Sequence, residues 1–515
     1  MIDQTLGPDT PSSDYSAMAD YWRTVNDILG GAVTMRDKRY LPKFEDEGDN
    51  DYARRRACAP FTNIYEDTGS NLASKPFSRE LTLEEGASDE FLKLSEDIDG
   101  IGGNLHNFAK TTFRRGIDKA IEWIWVDHTR VDREAGSKPL SIAEERALGL
   151  RPYWVSIPAE RVLAAYSERE NGREIFVHVR IAEPTIERAG YGETTKNRVR
   201  VIERHPIGGG IYGPPTYQLW EKQTLNGIDI WVSIEGPTAL SIAEIPLVAF
   251  CPTERDGTSW KLKPPLRKIA ELQIVEFQLE SGLQQALEYT AFPMLGAFGV
   301  DLSESLTGSG RLTVGPKALL NSPPVSTGQY GEWKFVEISG DSIKALEAHL
   351  DAIQKNMRDL GMQPLTQANL TVITTANVSL KANSAVQGWT LRLKDALEQA
   401  LKYTAMWLGD VSSAPEVDIF QDFGVNLEGG GELDVLLQAQ AQGVLSKKTV
   451  QMELKRRSVL SENFDPDDEE KLLAQDTKDA KPAVAVDPAT GELVTPPTRS
   501  YITTKPGQPA ASPTN

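Results

Sequence analysis

Residues 341–360 read DSIKALEAHLDAIQKNMRDL, which is the clearest helical pattern in the chain. Apolar side chains recur there at alternating spacings of three and four residues, which puts them on one face of an α-helix. The spacing is that of a coiled-coil seam, but the run is too short to be stable alone, so we expect it to pack against another helix. This apolar seam consists of Ile343, Leu346, Leu350, Ile353, Met357 and Leu360.

A second long helix is predicted upstream, over 264–290. A proline pair stands at its start, and about 25 residues at 1.5 Å each give a length of roughly 37 Å. Apolar side chains cover much of its circumference, as is typical of a helix that packs on more than one side. Between the two helices, residues 291–340 are rich in Gly, Pro and Ser, with short β-like pieces at Arg311–Val314 and Glu332–Ile338.

The chain downstream of the seam is unusual because no charged side chain occurs between Asp359 and Lys381. We expect residues 361–379 to form a functional loop, because loops of that length are uncommon unless they are functional or disordered. A surface connector without a ligand is the alternative. A third long helix is predicted over 380–410, where Ala, Val, Trp and Leu recur at helical spacing.

Two helices are predicted near the N-terminus. One starts behind Ser12 and Ser13 and is ended by Gly30-Gly31. The other starts near Asn104, and its apolar stripe continues through Ile121 to Ile124.

Strands are predicted from about 152 to 250, where apolar and polar residues alternate. The pattern indicates an antiparallel meander of five or six strands. Asn226-Gly227 is a strong signal for a two-residue hairpin within the meander. With long helices elsewhere, the predicted fold class is α+β.

The C-terminal part predicts a small helical unit followed by a tail. Residues 411–475 include the helix-like segments Leu433–Gln442 and Lys448–Arg456. The last 40 residues, 476–515, contain seven prolines and one aromatic residue, and the longer segment 462–515 carries 10 acidic and 5 basic side chains. We expect this acidic, Pro-rich tail to be disordered.

Composition excludes several classes of protein. The 515 residues carry a net charge of −19, which disfavours a protein that depends on tight binding to nucleic acid. Two cysteines exclude a disulfide scaffold and a four-thiolate zinc site. The N-terminus lacks the pattern of a secretory signal, and no apolar run is long enough to span a bilayer. We therefore expect a soluble chain, made inside the cell.

Catalytic motifs are weak throughout the chain. Residues 208–213 match G-x-G-x-x-G, but Pro214-Pro215 follows where a dinucleotide site needs a helix, so we expect a glycine-rich hairpin loop. There is no phosphate-binding P-loop motif and no G-x-S-x-G, and the five histidines are scattered. We predict that the chain is not an enzyme, with no catalytic residue, no metal ligand and no cofactor.

The order of elements and several local strings resemble the portal protein family of tailed bacteriophages, over residues 15–475. N-terminal strings that are similar to one portal subfamily are Tyr21-Trp22, Gly30-Gly31, Met35-Arg36, Tyr40-Leu41-Pro42, Tyr52-x-x-Arg55, Ala59-x-Phe61-x-Asn63 and Leu72-x-x-Lys75-Pro76-Phe77. The C-terminal strings are Leu433–Leu436, Gly443, Ser446, Thr449 and Leu454.

The resemblance implies a portal-like fold with a mixed helical and antiparallel β wing, long stem and spine helices, a small β-containing clip and a helical crown. Carried onto this chain, the parts are a wing at 1–262, a first stem helix at 263–290, a clip at 291–340, a second stem helix at 341–360, a channel loop at 361–379, a spine helix at 380–410 and a crown at 411–475. The tail at 476–515 has no clear counterpart.

The resemblance also implies a function. Twelve subunits would form a homo-oligomeric ring at one vertex of the capsid, through which viral double-stranded DNA is packaged and ejected. The partners would be the large subunit of the terminase motor, the major capsid and scaffolding proteins, and then tail adaptor or neck proteins, with no membrane. The chain would be in the host cytoplasm before assembly and in the virion afterwards.

Candidate site residues follow from this assignment. The uncharged loop would touch passing phosphates through weak, replaceable hydrogen bonds from Gln363, Thr366, Gln367, Asn369, Thr371, Thr374, Thr375 and Asn377. Positive charge along the channel would come from Lys381, Arg392, Lys394 and Lys402, although a solvated outer helix face is an equal alternative. The seam residues Ile343, Leu346, Leu350, Ile353 and Met357 would pack the stem.

Two other functions stay open. One is another multidomain virion adaptor protein, which would lack a helical hairpin around an insertion at 291–340. The other is a hydrolase or transferase with a dispersed site on the β meander, which need not form a large ring.

Overall fold

The computed structural model describes residues 7–129, 144, 147–291, 294–298, 324–326, 329–336, 340–361, 372–421, 440–442, 445–456, 460 and 464–479. The chain divides into two compact units, Met1–Val425 and Asn426–Asn515. The first unit combines helices with antiparallel sheets, so the predicted α+β class is confirmed.

Six helices in the described residues precede the first long strand: α1 (Ser13–Leu29), α2 (Ala32–Met35), α3 (Asp49–Cys58), α4 (Ile64–Ser74), α5 (Asp89–Glu96) and α6 (Leu105–Lys119). Of the two serines predicted at the start of α1, Ser12 caps the helix by accepting the Tyr15 N–H at 3.2 Å, and Gly30 follows the last residue as predicted. Asn104 caps α6 in the same way, its side chain accepting from the Asn107 N–H at 2.9 Å.

The predicted end of α6 is wrong. The helix stops at Lys119, and Ala120 adopts a left-handed conformation with φ of 69°. Neither isoleucine is therefore on the helix: Ile121 precedes a strand, and Ile124 lies within it. This strand is buried on both faces over its first five residues, so apolar and polar residues do not alternate along it. In the sequence, its apolar residues therefore look like a continuation of the apolar stripe of the helix.

The strands form small antiparallel sheets. Their bounds are β1 (Thr82–Leu83), β2 (Glu122–His128), β3 (Pro152–Pro158), β4 (Val162–Glu170), β5 (Arg173–Ala182), β6 (Thr185–Ala189), β7 (Gly192–Lys196), β8 (Arg198–Glu203), β9 (Pro206–Gly208), β10 (Ile211–Tyr212), β11 (Thr216–Leu225), β12 (Ile228–Ala239), β13 (Leu247–Phe250), β14 (Met294–Phe298), β15 (Pro324–Ser326), β16 (Gln329–Tyr330), β17 (Glu332–Val336) and β18 (Val417–Asp418).

The predicted meander is confirmed as a five-stranded sheet of order β12-β11-β8-β5-β4. Asn226 and Gly227 form the two-residue turn between β11 and β12 with φ of 52° and 79°, and Leu225 pairs with Ile228 across it. The ends of the predicted range, β3 and β13, instead flank β2 in a separate three-stranded sheet.

Two long helices form an antiparallel hairpin, α7 (Arg267–Ala291) and α8 (Gly340–Leu360), close to the predicted bounds. They pack together, and β14 pairs with β17 just beyond their connected ends. The β-like piece predicted from Glu332 is confirmed as β17, whereas Arg311–Val314 lies outside the described residues.

The next helix, α9 (Val372–Leu408), has 37 residues and a length of about 55 Å. It begins eight residues before the predicted spine helix, so the predicted loop 361–379 is too long. No glycine or proline occurs between Pro364 and Gly388, so nothing in the sequence ends a helix there, and a lack of charge does not prevent one.

The C-terminal half of α9 is built into the first unit. Val386, Leu393, Leu397 and Ala400 are fully buried. The Trp154 indole N–H on β3 donates to the Thr404 hydroxyl at 2.8 Å, and the Trp407 indole N–H donates to the Val126 carbonyl at 3.1 Å. These bonds fix this half of α9 against the three-stranded sheet.

Two predicted boundaries near the C-terminus need correction. Residues 411–421, predicted to begin the crown, belong to the first unit, because β18 pairs with β1. In the second unit, α10 (Lys447–Arg456) confirms the helix predicted at 448–456, and α11 (Pro466–Asp479) extends into the predicted tail. Most of Leu433–Gln442 and all of 480–515 lie outside the described residues.

Candidate functional site

The residues of the predicted channel loop separate into two groups. Gln363, Thr366, Gln367, Asn369 and Thr371 lie outside the described residues. Thr374, Thr375 and Asn377 lie in the first turns of α9 and are helical instead of loop residues.

The predicted basic residues of α9 do not form one stripe. Arg392 and Lys394 are two positions apart and therefore project from different sides of the helix. The Arg392 guanidinium lies 3.4 Å from a Glu254 carboxylate oxygen, and the Lys394 ammonium lies 3.5 Å from Glu398. Lys394 also lies near Glu84 and Glu416, at 3.9 and 4.0 Å, and so links α9 to the segments that carry β1 and β18.

The structure describes the side chain of one of the other two predicted basic residues. Lys402 is exposed, and the side chain of Lys381 lies outside the described residues. Arg392 and Lys394 are each neutralised by carboxylates of the same chain. Whether these two residues lie along a channel or on a solvated outer face stays a prediction.

The apolar seam of α8 is mostly buried within the chain itself. Ile343, Leu350, Ile353 and Met357 are buried, and Met357 has no exposed surface. Leu346 is half-buried. Among these five side chains, Leu346 is therefore the one with the most surface free to contact another molecule.

A polar cluster, which we call the buried junction, lies where the helical hairpin meets the N-terminal helices. It consists of Gln273, Glu276 and Glu280 on α7, Gln354 on α8, and Thr62 before α4. The Glu276 carboxyl has no exposed surface. It accepts N–H groups from the Gln273 amide at 2.9 Å and from the Gln354 amide at 2.8 Å.

The same cluster joins the hairpin to the start of α4. The Gln273 side chain donates to the Thr62 carbonyl at 2.9 Å and accepts the Tyr65 N–H at 3.1 Å. The Thr62 hydroxyl donates to Glu280 at 3.4 Å. Sequence reasoning missed the cluster, although Gln273, Glu276 and Glu280 recur at spacings of three and four on a helix with many apolar residues.

A cleft of about 510 Å³ lies between α9, β13 and the five-stranded sheet. Three arginines line it, and each has a carboxylate partner: Arg173 with Glu244, Arg255 with Glu174, and Arg392 with Glu254. Burial raises the pKa of the Cys251 thiol to about 12, so this cysteine is protonated at neutral pH and is a poor nucleophile.

The glycine-rich string at 208–213 is a hairpin loop, as predicted. Gly208, Gly209 and Gly210 all have positive φ, and β9 and β10 pair on either side of them. The chain continues into β11 and not into a helix, so the geometry of a dinucleotide site is missing here.

Metal-binding clusters and membrane-spanning helices are absent from the residues that the structure describes. In that part of the chain, no three or more His, Cys, Asp and Glu side chains are grouped so as to hold a metal ion. None of its helices is both long enough and apolar enough to cross a membrane.

Comparisons with known proteins give one family match. Residues 265–408 match a family model described as a domain of unknown function, DUF4055. The matched segment covers about a quarter of the chain and runs from the start of α7 to the end of α9. No curated protein matches.

One similar solved structure is a chain from the neck of the native GTA particle, computed with C12 symmetry. The two chains share 13% identity with a TM-score of 0.36, over 76% of this chain and 89% of the other. A TM-score this low does not establish a shared fold.

Proposed function

We propose that this chain is a structural protein of the virion head–tail region, and specifically a portal protein. The observation that carries the proposal is the order of elements in residues 267–408. A hairpin of two long helices encloses β14 and β17, and a 37-residue helix follows. This is the order of stem, clip, stem and spine that the sequence resemblance implies.

The packing of these elements supports the same function. The C-terminal half of α9 is buried in the first unit, so it supplies a rigid anchor, while the α7–α8 hairpin leads to the paired strands of the proposed clip. The family model that matches begins at α7 and ends with α9, so these elements recur together in other proteins.

In this proposal, copies of the chain form a ring of twelve around a channel for viral double-stranded DNA. The net charge of −19 per chain suits a conduit, because each phosphate that a wall neutralises adds affinity that must be broken at every step. Residues 363–371 would touch DNA through uncharged polar groups. The chain would catalyse no reaction, and ATP hydrolysis would belong to the terminase motor.

The ring would begin with the major capsid and scaffolding proteins, dock the large terminase subunit during packaging, and then bind tail adaptor or neck proteins. The test is negative-stain electron microscopy and native mass spectrometry of the purified chain. We expect rings with a central hole and a mass of twelve subunits. A chain that stays monomeric or dimeric across protein concentration, salt and added scaffolding protein would overturn the proposal.

A further inference from the structure

The buried junction contains two carboxyl groups one helical turn apart, and the proposed function does not use them. Glu276 has no exposed surface, and one oxygen of Glu280, Oε2, is buried without a hydrogen-bond partner. Buried carboxylates are expensive unless they are paired with a cation or fully hydrogen-bonded. The junction therefore holds an unfavourable arrangement whenever both groups are ionised.

The charged groups around Glu276 do not compensate for its burial. Glu280 faces it from the same helix and Arg358 from α8, while Thr62 and the Tyr65 backbone on the α4 side are neutral. Burial, with a smaller contribution from Glu280, raises the pKa of Glu276 to about 7. Burial also raises the pKa of Glu280.

The carboxyl groups of Glu276 and Glu280 connect elements that are distant in sequence. Glu276 bridges α7 to Gln354 on α8, and Glu280 contacts Thr62 at the entry to α4. At the end of α8, Gly361 lies so close to α4 that a Cβ atom there would meet the Thr68 side chain at 2.1 Å. Loss of the junction contacts would therefore weaken the packing of α4, α7 and α8 together.

We propose that Glu276 and Glu280 form a proton-sensitive contact that regulates how firmly the α7–α8 hairpin is held against α4. The hairpin is held most firmly when Glu276 carries a proton. When the junction opens, the carboxyl meets water and releases its proton at its ordinary pKa. This inference rests on the junction alone and does not depend on ring formation.

The direction of the pH dependence follows from the raised pKa. Opening becomes easier as pH rises from about 4.5, the ordinary value, to about 7, and levels off above that. Hydrogen exchange of α4 and α8, read by mass spectrometry and corrected for intrinsic rates, measures this opening. In the full-length chain we expect protection there to fall at least about tenfold between about pH 5 and about pH 7.5.

Two variants isolate the carboxyls. Glu276→Gln keeps the size and the neutral charge of the protonated acid, although its amide nitrogen cannot accept the N–H group that one carboxyl oxygen accepts. We expect the protection of this variant in α4 and α8 to be independent of pH. Glu280→Gln removes a negative neighbour, and we expect the midpoint of the response to move to lower pH. The matched control is Glu271→Gln, an exposed carboxylate on the same helix, which should leave the response of the junction unchanged.

Two results would overturn the inference. One is a wild-type junction whose protection does not change with pH. The other is a Glu276→Gln variant that keeps the wild-type response. If Glu276→Gln fails to fold, an unshifted midpoint in Glu280→Gln has the same consequence.

Discussion

Glu122, the first residue of β2, is a carboxyl held in an unfavourable environment. It has no exposed surface, and its Oε1 accepts the Ser156 hydroxyl at 2.6 Å, while Oε2 has no hydrogen-bond partner. The nearest cation group, on Arg115, is 3.5 Å away and partly exposed. Burial raises the pKa of Glu122 to about 7 in spite of these partners.

Replacing Glu122 by Gln should stabilise the protein more at high pH than at low pH. In the wild type, the Glu122 carboxyl ionises above about pH 4.5 when the chain is unfolded and only above about pH 7 when it is folded. The free energy of unfolding therefore falls as the pH rises across that window. The variant lacks this loss. We expect its advantage to grow by about 2 kcal/mol between about pH 5 and about pH 8 in urea denaturation.

The control for this substitution is Glu271→Gln, an exposed carboxylate paired with Arg267 on α7. The difference in free energy of unfolding between this variant and the wild type should change little over the same range of pH. A Glu122 variant whose advantage is the same at both pH values would show that this carboxyl is not kept protonated by the fold.

At the residue scale, local signals were predictable and burial was not. Ser12 and Asn104 cap helices because their side chains bond within the next turn, and Asn226-Gly227 sets its own turn geometry. Glu122 and Glu276 could not be selected among 74 acidic residues, because their burial depends on elements far away in the sequence.

At the element scale, we expect replacement of glycine by alanine to have opposite effects on the free energy of unfolding at two helical positions. Gly116 on α6 lies against β13, where a Cβ atom would meet the Phe250 ring at 2.3 Å. We expect Gly116→Ala to lower the free energy of unfolding by about 1–3 kcal/mol through overpacking, although alanine is the better helix former.

Gly388 on α9 is the matched control, because nothing lies within 4 Å of a Cβ atom placed there. Gly388→Ala should raise the free energy of unfolding by up to about 1 kcal/mol through helix propensity. Denaturant unfolding of both variants measures the two values. Equal effects of the two substitutions would contradict the close packing of α6 on β13.

The elements themselves were predicted unevenly. Helices α7 and α8 were predicted closely because proline, glycine and apolar periodicity mark them along the sequence. The start of α9 was wrong because an uncharged run was interpreted as a loop, and the end of α6 was wrong because β2 is apolar on both faces. Periodicity alone does not separate a buried strand from a helix that precedes it.

At the scale of the whole molecule, the candidate site of the proposed function was predicted only through resemblance. Its loop residues lie partly in α9 and otherwise outside the described residues, so the channel lining stays a prediction. Sequence patterns do not report which face of a chain meets a second copy, because an apolar face has the same periodicity whether it packs in the core or on another subunit.

The uncharged segment 363–371 of the proposed channel can be tested by substitution. Alanine at five of its positions should lower the yield of packaged DNA several-fold while rings still form, because the weak polar contacts to phosphates would be lost. Genome packaging in a complementation assay measures the yield. The positions are Gln363, Thr366, Gln367, Asn369 and Thr371.

The control for the loop variant is Thr194→Ala with Thr195→Ala, on the exposed strand β7. This pair should package DNA normally. Normal packaging by the loop variant as well would argue against contact between the loop and DNA.

Substitution of the half-buried Leu346 can distinguish packing within one chain from contact between two copies of it. Ile353→Asp places a charge in the core of the chain and should prevent folding, so its lack of rings would be uninformative. Leu346→Asp should leave the monomer folded by circular dichroism and abolish rings in electron microscopy, because an unpaired carboxylate would be buried between subunits.

Leu391→Asp, an exposed leucine on α9, is the matched control and should form rings. The comparison holds the type of substitution constant and changes the helix and the exposure of the leucine. Rings of normal stability from Leu346→Asp would mean that the seam of α8 serves only the fold of its own chain. Ring contacts would then have to come from another surface of the molecule.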